Sequence, residues 1–245
     1  PRARATQFML TEESFHLFTG ETGIERIIQR SCELANKDPN GDARAQGGID
    51  LPTIQKWINF WFSSAVELFG GEISSNAADY FATGLKGRYR ELGKYEDHRA
   101  LGEVYTMPVL KDGKLTDEEI PLRNALNEVL RDEYVADCER AVRRWNHTIK
   151  KTGTQFELRL PSRRFNRSLG MYANVHFDLE GNPIRESEFE AKRDLWLPTK
   201  ADRDYVKALM TPVYEPGQIA NWIAPPKAGV HKQPFDFPYV KLANN

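Results

Sequence analysis

The stretch from Pro52 to Phe69 constrains the fold more than any other. Ile54, Trp57, Ile58, Phe60, Trp61, Phe62, Ala65, Val66, Leu68 and Phe69 leave almost no polar side on a helix built from it. A helix that is apolar nearly all round has to be enclosed by other elements. Glu67 stands inside this apolar run. An enclosed carboxylate without a partner is costly, or is driven to its neutral form. A metal ion removes that cost; so does an arginine partner, or a place at the helix end facing water.

The opening segment carries a second acid. From about Ala5 to Phe18 the pattern is helical, and Glu13 and His16 stand three residues apart. Positions i and i+3 share a helix face, so one metal ion can take an oxygen from Glu13 and a nitrogen from His16. Glu-x-x-His is the unit from which di-iron sites in helical bundles are built. Phe15, Leu17 and Phe18 point to a helix that is at least partly buried. Gly20 and Gly23 are expected to break it. Thr22 then caps a second helix with Glu25 as its capping-box partner, and Ile24, Ile27, Ile28 and Leu34 form its apolar stripe. The chain opens at Pro1 with helical pattern almost at once, which points to a truncated chain whose earlier helices are missing.

Beyond Gly70-Gly71, a helix is expected from Ser75 or Asn76 through Tyr89, running on to Tyr95, Glu96, Asp97 and His98. His98 lies far enough past Glu67 for a turn and one antiparallel helix to return it to the same level. Tyr95, not an acid, stands three before it, so an irregular turn would be needed to align Glu96 or Asp97 with His98. An exposed charged helix end explains the same residues. Met107 to Ile120, around Lys111-Asp112-Gly113-Lys114, predicts a hairpin. Leu122 to Ile149 predicts one long amphipathic helix, with Glu128, Asp132, Glu133, Asp137 and Glu139 as a solvated face. After Gly153 the texture changes. Phe156–Leu160 and Tyr172–Asp178 alternate like strands, and Arg163, Arg164 and Arg167 cluster between them, a set suited to a phosphate group or to plain surface charge. Glu186–Arg193 and Lys200–Met210 predict short helices. The Pro-rich but apolar stretch Tyr214–Pro226 predicts an extended strap across the helical body.

Taken together this is a mainly α chain. Residues 1–150 are expected to form a helical domain, and 151–245 a mixed appendage with a small β part and the strap. A net charge of -1 excludes a nucleic-acid or membrane-surface binder held by bulk charge. Cys32 and Cys138 form no Cys-x-x-Cys pair, so a zinc ribbon or disulfide scaffold is not expected and two free thiols fit a reducing cytoplasm. No segment is long and apolar enough to span a bilayer, and no signal peptide is visible.

Several long, ordered motifs carry a resemblance. They are Leu10-Thr11-Glu12-Glu13 with His16, Glu67-Leu68-Phe69-Gly70, Ser74-Ser75-Asn76-Ala77-Ala78, Gly84-Leu85-Lys86-Gly87-Arg88, Asn124 through Asp132, and Asn221-Trp222-Ile223-Ala224-Pro225-Pro226. Together they resemble the oxygenase component of benzoyl-CoA 2,3-epoxidase, over essentially this whole chain and the C-terminal half of that family's longer polypeptide. The resemblance implies a ferritin-like helical bundle holding two iron ions. It implies Glu13, His16, Glu67, Glu96 and His98 as metal ligands, with Glu13 and Glu67 at the catalytic centre and a further carboxylate from an earlier helix. It implies a monooxygenase that uses O2 to form a 2,3-epoxide on the ring of benzoyl-CoA. A separate flavin and iron–sulfur reductase would supply electrons from NADPH. Phe15, Trp57, Trp61 and Phe62 are candidates for the apolar shell, and Lys86, Arg88, Arg163, Arg164 and Arg167 for contacts to the CoA phosphates. The competing reading is a non-catalytic ferritin-like protein that binds an acyl-CoA or a protein partner.

Overall fold

The computed structural model describes residues 2–74, 103–111, 113–215, 217–229, 232–233 and 238–239, with only the backbone of residues 2–7. Among them the chain is mainly α. The helices are α1 (Arg2–Lys37), α2 (Leu51–Val66), α3 (Leu126–Lys151), α4 (Glu186–Trp196) and α5 (Lys200–Leu209). Two small antiparallel sheets complete it. Strands β1 (Val104–Lys111) and β2 (Lys114–Pro121) pair from Val104↔Pro121 to Lys111↔Lys114. Strands β3 (His176–Phe177) and β4 (Pro183–Ile184) form the other. The expected hairpin is therefore present and starts three residues earlier than the alternation indicated. No helix among the described residues is long and apolar enough to cross a membrane.

The chain divides into two compact units, Pro1–Trp57 with Arg140–Arg159 and Pro198–Asn245, and Ile58–Glu139 with Leu160–Leu197. In the first, the C-terminal half of α1 buries Ile28, Cys32 and Leu34, while the end of α3 buries Val142, Trp145 and Ile149. Trp145 Nε1 donates to the Glu21 carbonyl at 3.2 Å, and Thr148 Oγ1 to Glu25 Oε1 at 3.1 Å. Thr199 and Asp202 close a capping box at the start of α5. Asp202 also accepts Arg44 Nη2 at 2.7 Å and Lys56 Nζ at 2.9 Å. The strap is tied to α1: Arg30 Nε donates to the Asn221 carbonyl and Arg30 Nη2 to Asn221 Oδ1, at 2.7 and 2.6 Å. Arg26 and Ala224 exchange two further bonds, at 2.7 and 3.1 Å.

The second unit has its apolar cluster at Phe165, Phe189 and Leu197, with Phe60, Leu179, Ile184 and Trp196 against it. Tyr134 lies between Phe62 and Phe69, with ring centroids at 6.4 and 5.5 Å.

Several expectations need correction. Helix α1 runs unbroken through Gly20 and Gly23. Glycine lowers helix stability but keeps its N–H donor, so the ladder continues where later turns pack well. Thr22 does not cap a second helix; its hydroxyl donates back to the Phe18 carbonyl at 2.7 Å. Phe15, Leu17 and Phe18 are exposed. Helix α2 is buried along one face, through Ile54, Asn59, Phe62, Ser63 and Val66, and Trp61 lies outside that face. The helical rise expected to reach Phe69 tightens after Val66 into a 3-10 turn over Glu67–Phe69. Helix α3 begins at Leu126, after a 3-10 turn over Leu122–Asn124. Glu128 is not on its solvated face: it is buried against Arg131, one turn on. Residues 156–160 form no strand, since Asn146 and Gln55 side chains take the Leu158 and Arg159 backbone groups. Of Tyr172–Asp178 only His176 and Phe177 pair as a strand.

Candidate metal and substrate sites

Glu13 and His16 fall where helical spacing puts them. His16 Nδ1 lies 3.4 Å from Glu13 Oε2 on one face of α1, and both side chains are more than half exposed, at 63% and 64%. The two side chains stand side by side within hydrogen-bonding distance of each other, bringing one oxygen and one nitrogen donor together on the exposed face.

Glu67 opens the 3-10 turn, and both its oxygens are occupied. Oε1 accepts the backbone N–H groups of Ser168 and of Leu169, the latter at 2.9 Å. Oε2 accepts the Ser168 hydroxyl at 2.7 Å. Arg167 Nε stands 3.5 Å from Oε1. Partial burial opposes ionisation, but the Ser168 hydroxyl, the two amides and the Arg167 charge outweigh it and hold the carboxyl below its ordinary range. Of the readings open for Glu67, an arginine partner and a place at the helix end both describe what surrounds it here.

Behind this turn lies a buried ionic cluster. Arg167 Nη2 pairs with Glu72 Oε1 at 3.1 Å, and Glu72 Oε2 accepts the Met171 N–H at 2.7 Å. Gly170, at φ +79°, lies so close that an added Cβ would fall on the Glu72 carboxylate. Arg131, closed to solvent, donates to the carbonyls of Val66 at 3.0 Å and Gly70 at 2.6 Å, and pairs with Glu128. Burial, then the nearby Arg167 charge, lowers the Arg131 pKa to about 10. Arg163 Nη1 donates to Glu128 Oε2 at 3.0 Å and Asp132 Oδ1 at 2.5 Å. Asp132 also accepts the Tyr105 hydroxyl at 2.6 Å, and burial with that carboxylate raises Tyr105 to about 12. Arg164 donates to the Gly181 carbonyl through Nε and Nη2, at 3.1 and 3.0 Å.

The three arginines of the 163–167 cluster are thus bonded to protein acceptors, and Arg167 is closed to water. Glu96, His98, Lys86 and Arg88 lie outside the described residues. Among the described residues there is no group of three or more His, Cys, Asp or Glu side chains that could hold a metal ion. Glu13 and His16 fit two of the ligands that a di-iron centre needs; Glu67 fits only if it gives up the donors it now holds. Sequence reasoning missed Ser168, Leu169, Glu72 and Arg131. Only the adjacency of Glu128 and Arg131 at helical spacing hinted at the last.

No protein-family model matches the chain. Benzoyl-CoA oxygenase component B of Aromatoleum evansii is 45% identical to it over 245 residues, 99% of this chain. The chain spans about half, 52%, of that relative's length. Along almost all of its length the chain is therefore similar to about half of benzoyl-CoA oxygenase component B.

Proposed function

We propose that this chain is the iron-binding portion of a ferritin-like di-iron monooxygenase that epoxidises the aromatic ring of benzoyl-CoA. The reading is carried by the Glu13–His16 donor pair, standing on one helix face in a chain 45% identical to a benzoyl-CoA oxygenase component. The relative's designation as component B favours a multi-component system, in which a separate flavin and iron–sulfur reductase brings electrons from NADPH. One oxygen atom of O2 goes to the ring and the other leaves as water.

Glu13, His16, Glu67, Glu96 and His98 are the proposed ligands. Bound iron would supply the redox chemistry of O2 reduction, which amino-acid side chains lack. Glu13 and Glu67 contribute negative charge that offsets the cations, and His16 a neutral nitrogen donor. Lys86, Arg88, Arg163 and Arg164 are the proposed contacts for the CoA phosphates, with Arg167 supporting the turn that carries Ser168. The protein would reside in the cytoplasm, where CoA thioesters are formed.

The test is turnover under 18O2 with benzoyl-CoA, NADPH and the reductase, read by mass spectrometry. One 18O atom in the ring of the thioester is expected. Binding of benzoyl-CoA without label in any product would overturn the reading and favour a non-catalytic acyl-CoA-binding role.

A further inference from the structure

The N-terminal part of α1 carries large apolar side chains in the open. Phe8, Phe15, Leu17 and Phe18 are between 66% and 75% exposed and Leu10 is 49% exposed, so no described residue covers them. Further along the same helix Ile28, Cys32 and Leu34 are buried. The exposed residues are ordered. Phe15 follows Phe8 by seven positions, Leu17 follows Leu10 by seven, and Phe18 follows Phe15 by three. At about 100° per residue, all five fall within one half of the helix circumference. Ser14 lies in the same half, and its hydroxyl is turned back to donate to the Leu10 carbonyl at 3.1 Å. Glu12 and Glu13 border that half, one on each edge, and no Lys or Arg occurs between Ala5 and Glu25. Apolar anchors at this spacing with charges along their edges are what one helix presents to another. Five large apolar side chains together also exceed the scattered exposure normal on a surface.

Charge and length say what covers this face. Two copies of the chain paired through it would set Glu12 and Glu13 of one beside those of the other, with no neighbouring cation to offset them, and like charges across an interface are unfavourable. The chain spans 52% of component B of Aromatoleum evansii, at 45% identity, so about half of that relative has no counterpart here. We propose that Phe8, Leu10, Phe15, Leu17 and Phe18 form an interface for polypeptide equivalent to that other half. The segment seated there is an amphipathic helix, with apolar residues at heptad spacing and Lys or Arg along the edges that meet Glu12 and Glu13. This inference does not depend on bound iron.

The experiment supplies the unmatched half of the A. evansii component B as a separate polypeptide and measures its binding to the wild-type chain and to Phe15→Glu, Phe18→Glu and Leu195→Glu. A photo-cross-linking residue at position 15 identifies what lies against the helix, and hydrogen exchange follows the amides of residues 8–18. The separate half should cross-link to position 15 and slow exchange across 8–18. Phe15→Glu and Phe18→Glu should each weaken its binding by about tenfold or more. Both positions are exposed, so the far-UV circular dichroism of the free variants should match wild type. Leu195→Glu alters an equally exposed leucine on α4 and should bind like wild type. Cross-links to a second copy alone, with the chain sedimenting as a dimer that Phe15→Glu dissolves, would overturn the proposal in favour of self-association. Cross-links confined to the same chain would place the cover within it and overturn the proposal too. So would unchanged exchange across 8–18, or equal binding by wild type, Phe15→Glu and Phe18→Glu.

Discussion

Glu72 and Arg167 meet at 3.1 Å where water barely reaches, their side chains 1% and 0% exposed. Removing one member of such a pair leaves the other charge buried and alone, at a cost of about 3–5 kcal/mol. Glu72→Ala and Arg167→Ala should each lower stability by that order in urea denaturation. The double variant should cost clearly less than the two together, because no unpaired charge remains. Additive losses would show that the two side chains do not act as a pair.

Gly170→Ala strikes the same cluster from the backbone side. The position has φ +79°, and the new methyl would fall on the Glu72 carboxylate. A left-handed non-glycine residue alone costs about 1–2 kcal/mol, and Glu72 cannot step aside without leaving Arg167 and the Met171 amide. A loss above about 2 kcal/mol is expected from the denaturation midpoint. A neutral Gly170→Ala would mean that Glu72 moves freely.

Asp202 governs stability in acid. Burial opposes its ionisation, but Arg44, the Thr199 amide and hydroxyl and Lys56 outweigh burial and hold the carboxyl far below its ordinary range. A carboxyl depressed by folding contributes stability that is fully present above the unfolded pKa of about 3.9 and is lost as pH falls toward the folded value. Asp202→Asn should therefore melt well below wild type at pH 7, by about 3 kcal/mol. That gap should narrow as the pH drops below about 4. A gap that holds constant down to pH 2 would contradict the assignment.

Much of the fold was legible because its signals are local. The hairpin followed from alternation around Lys111-Asp112-Gly113-Lys114, and α4 and α5 from short amphipathic runs with acidic residues in the first turn. Trp222, Ile223 and Ala224 are apolar residues in a Pro-rich stretch, and the bonds from Arg26 and Arg30 of α1 to Ala224 and Asn221 tie that stretch to the helix, a contact that apolar composition alone does not reveal. The break at Gly20 and Gly23 was misread because propensity is a small local term that packing of Ile28, Cys32 and Leu34 overrides. The strand pattern at Phe156–Leu160 was misread because alternation cannot tell pairing with a strand from capture by Asn146 and Gln55. The proximity of Glu13 and His16 on one face of α1 was legible from their spacing. The partners of Glu67 were not, since Ser168 and Leu169 lie a hundred residues away and no periodicity links them to it.

Arg30 is where the strap is fastened. Its planar fork reaches both oxygens of Asn221, and it stacks over the Tyr239 ring at 3.7 Å. Lysine keeps the charge but not the fork or the stacking. Arg30→Lys should cost about 1–3 kcal/mol and speed proteolysis within residues 211–229. Unchanged proteolysis would show that the strap is held by other contacts.

As proposed metal ligands, Glu13 and His16 offer a way to separate metal binding from folding. Both are more than half exposed, so Glu13→Ala and His16→Ala should change stability by no more than about 0.5 kcal/mol. Iron retention by the same variants should collapse. Melting points that drop sharply would give the pair a structural role instead.

The most direct measurement is the iron content and Mössbauer spectrum of the protein reconstituted with 57Fe(II) and then oxidised. The account predicts close to two iron ions per chain, coupled to one another as a pair in carboxylate and histidine coordination. A protein that folds but retains no iron, or holds only isolated single ions, would contradict it.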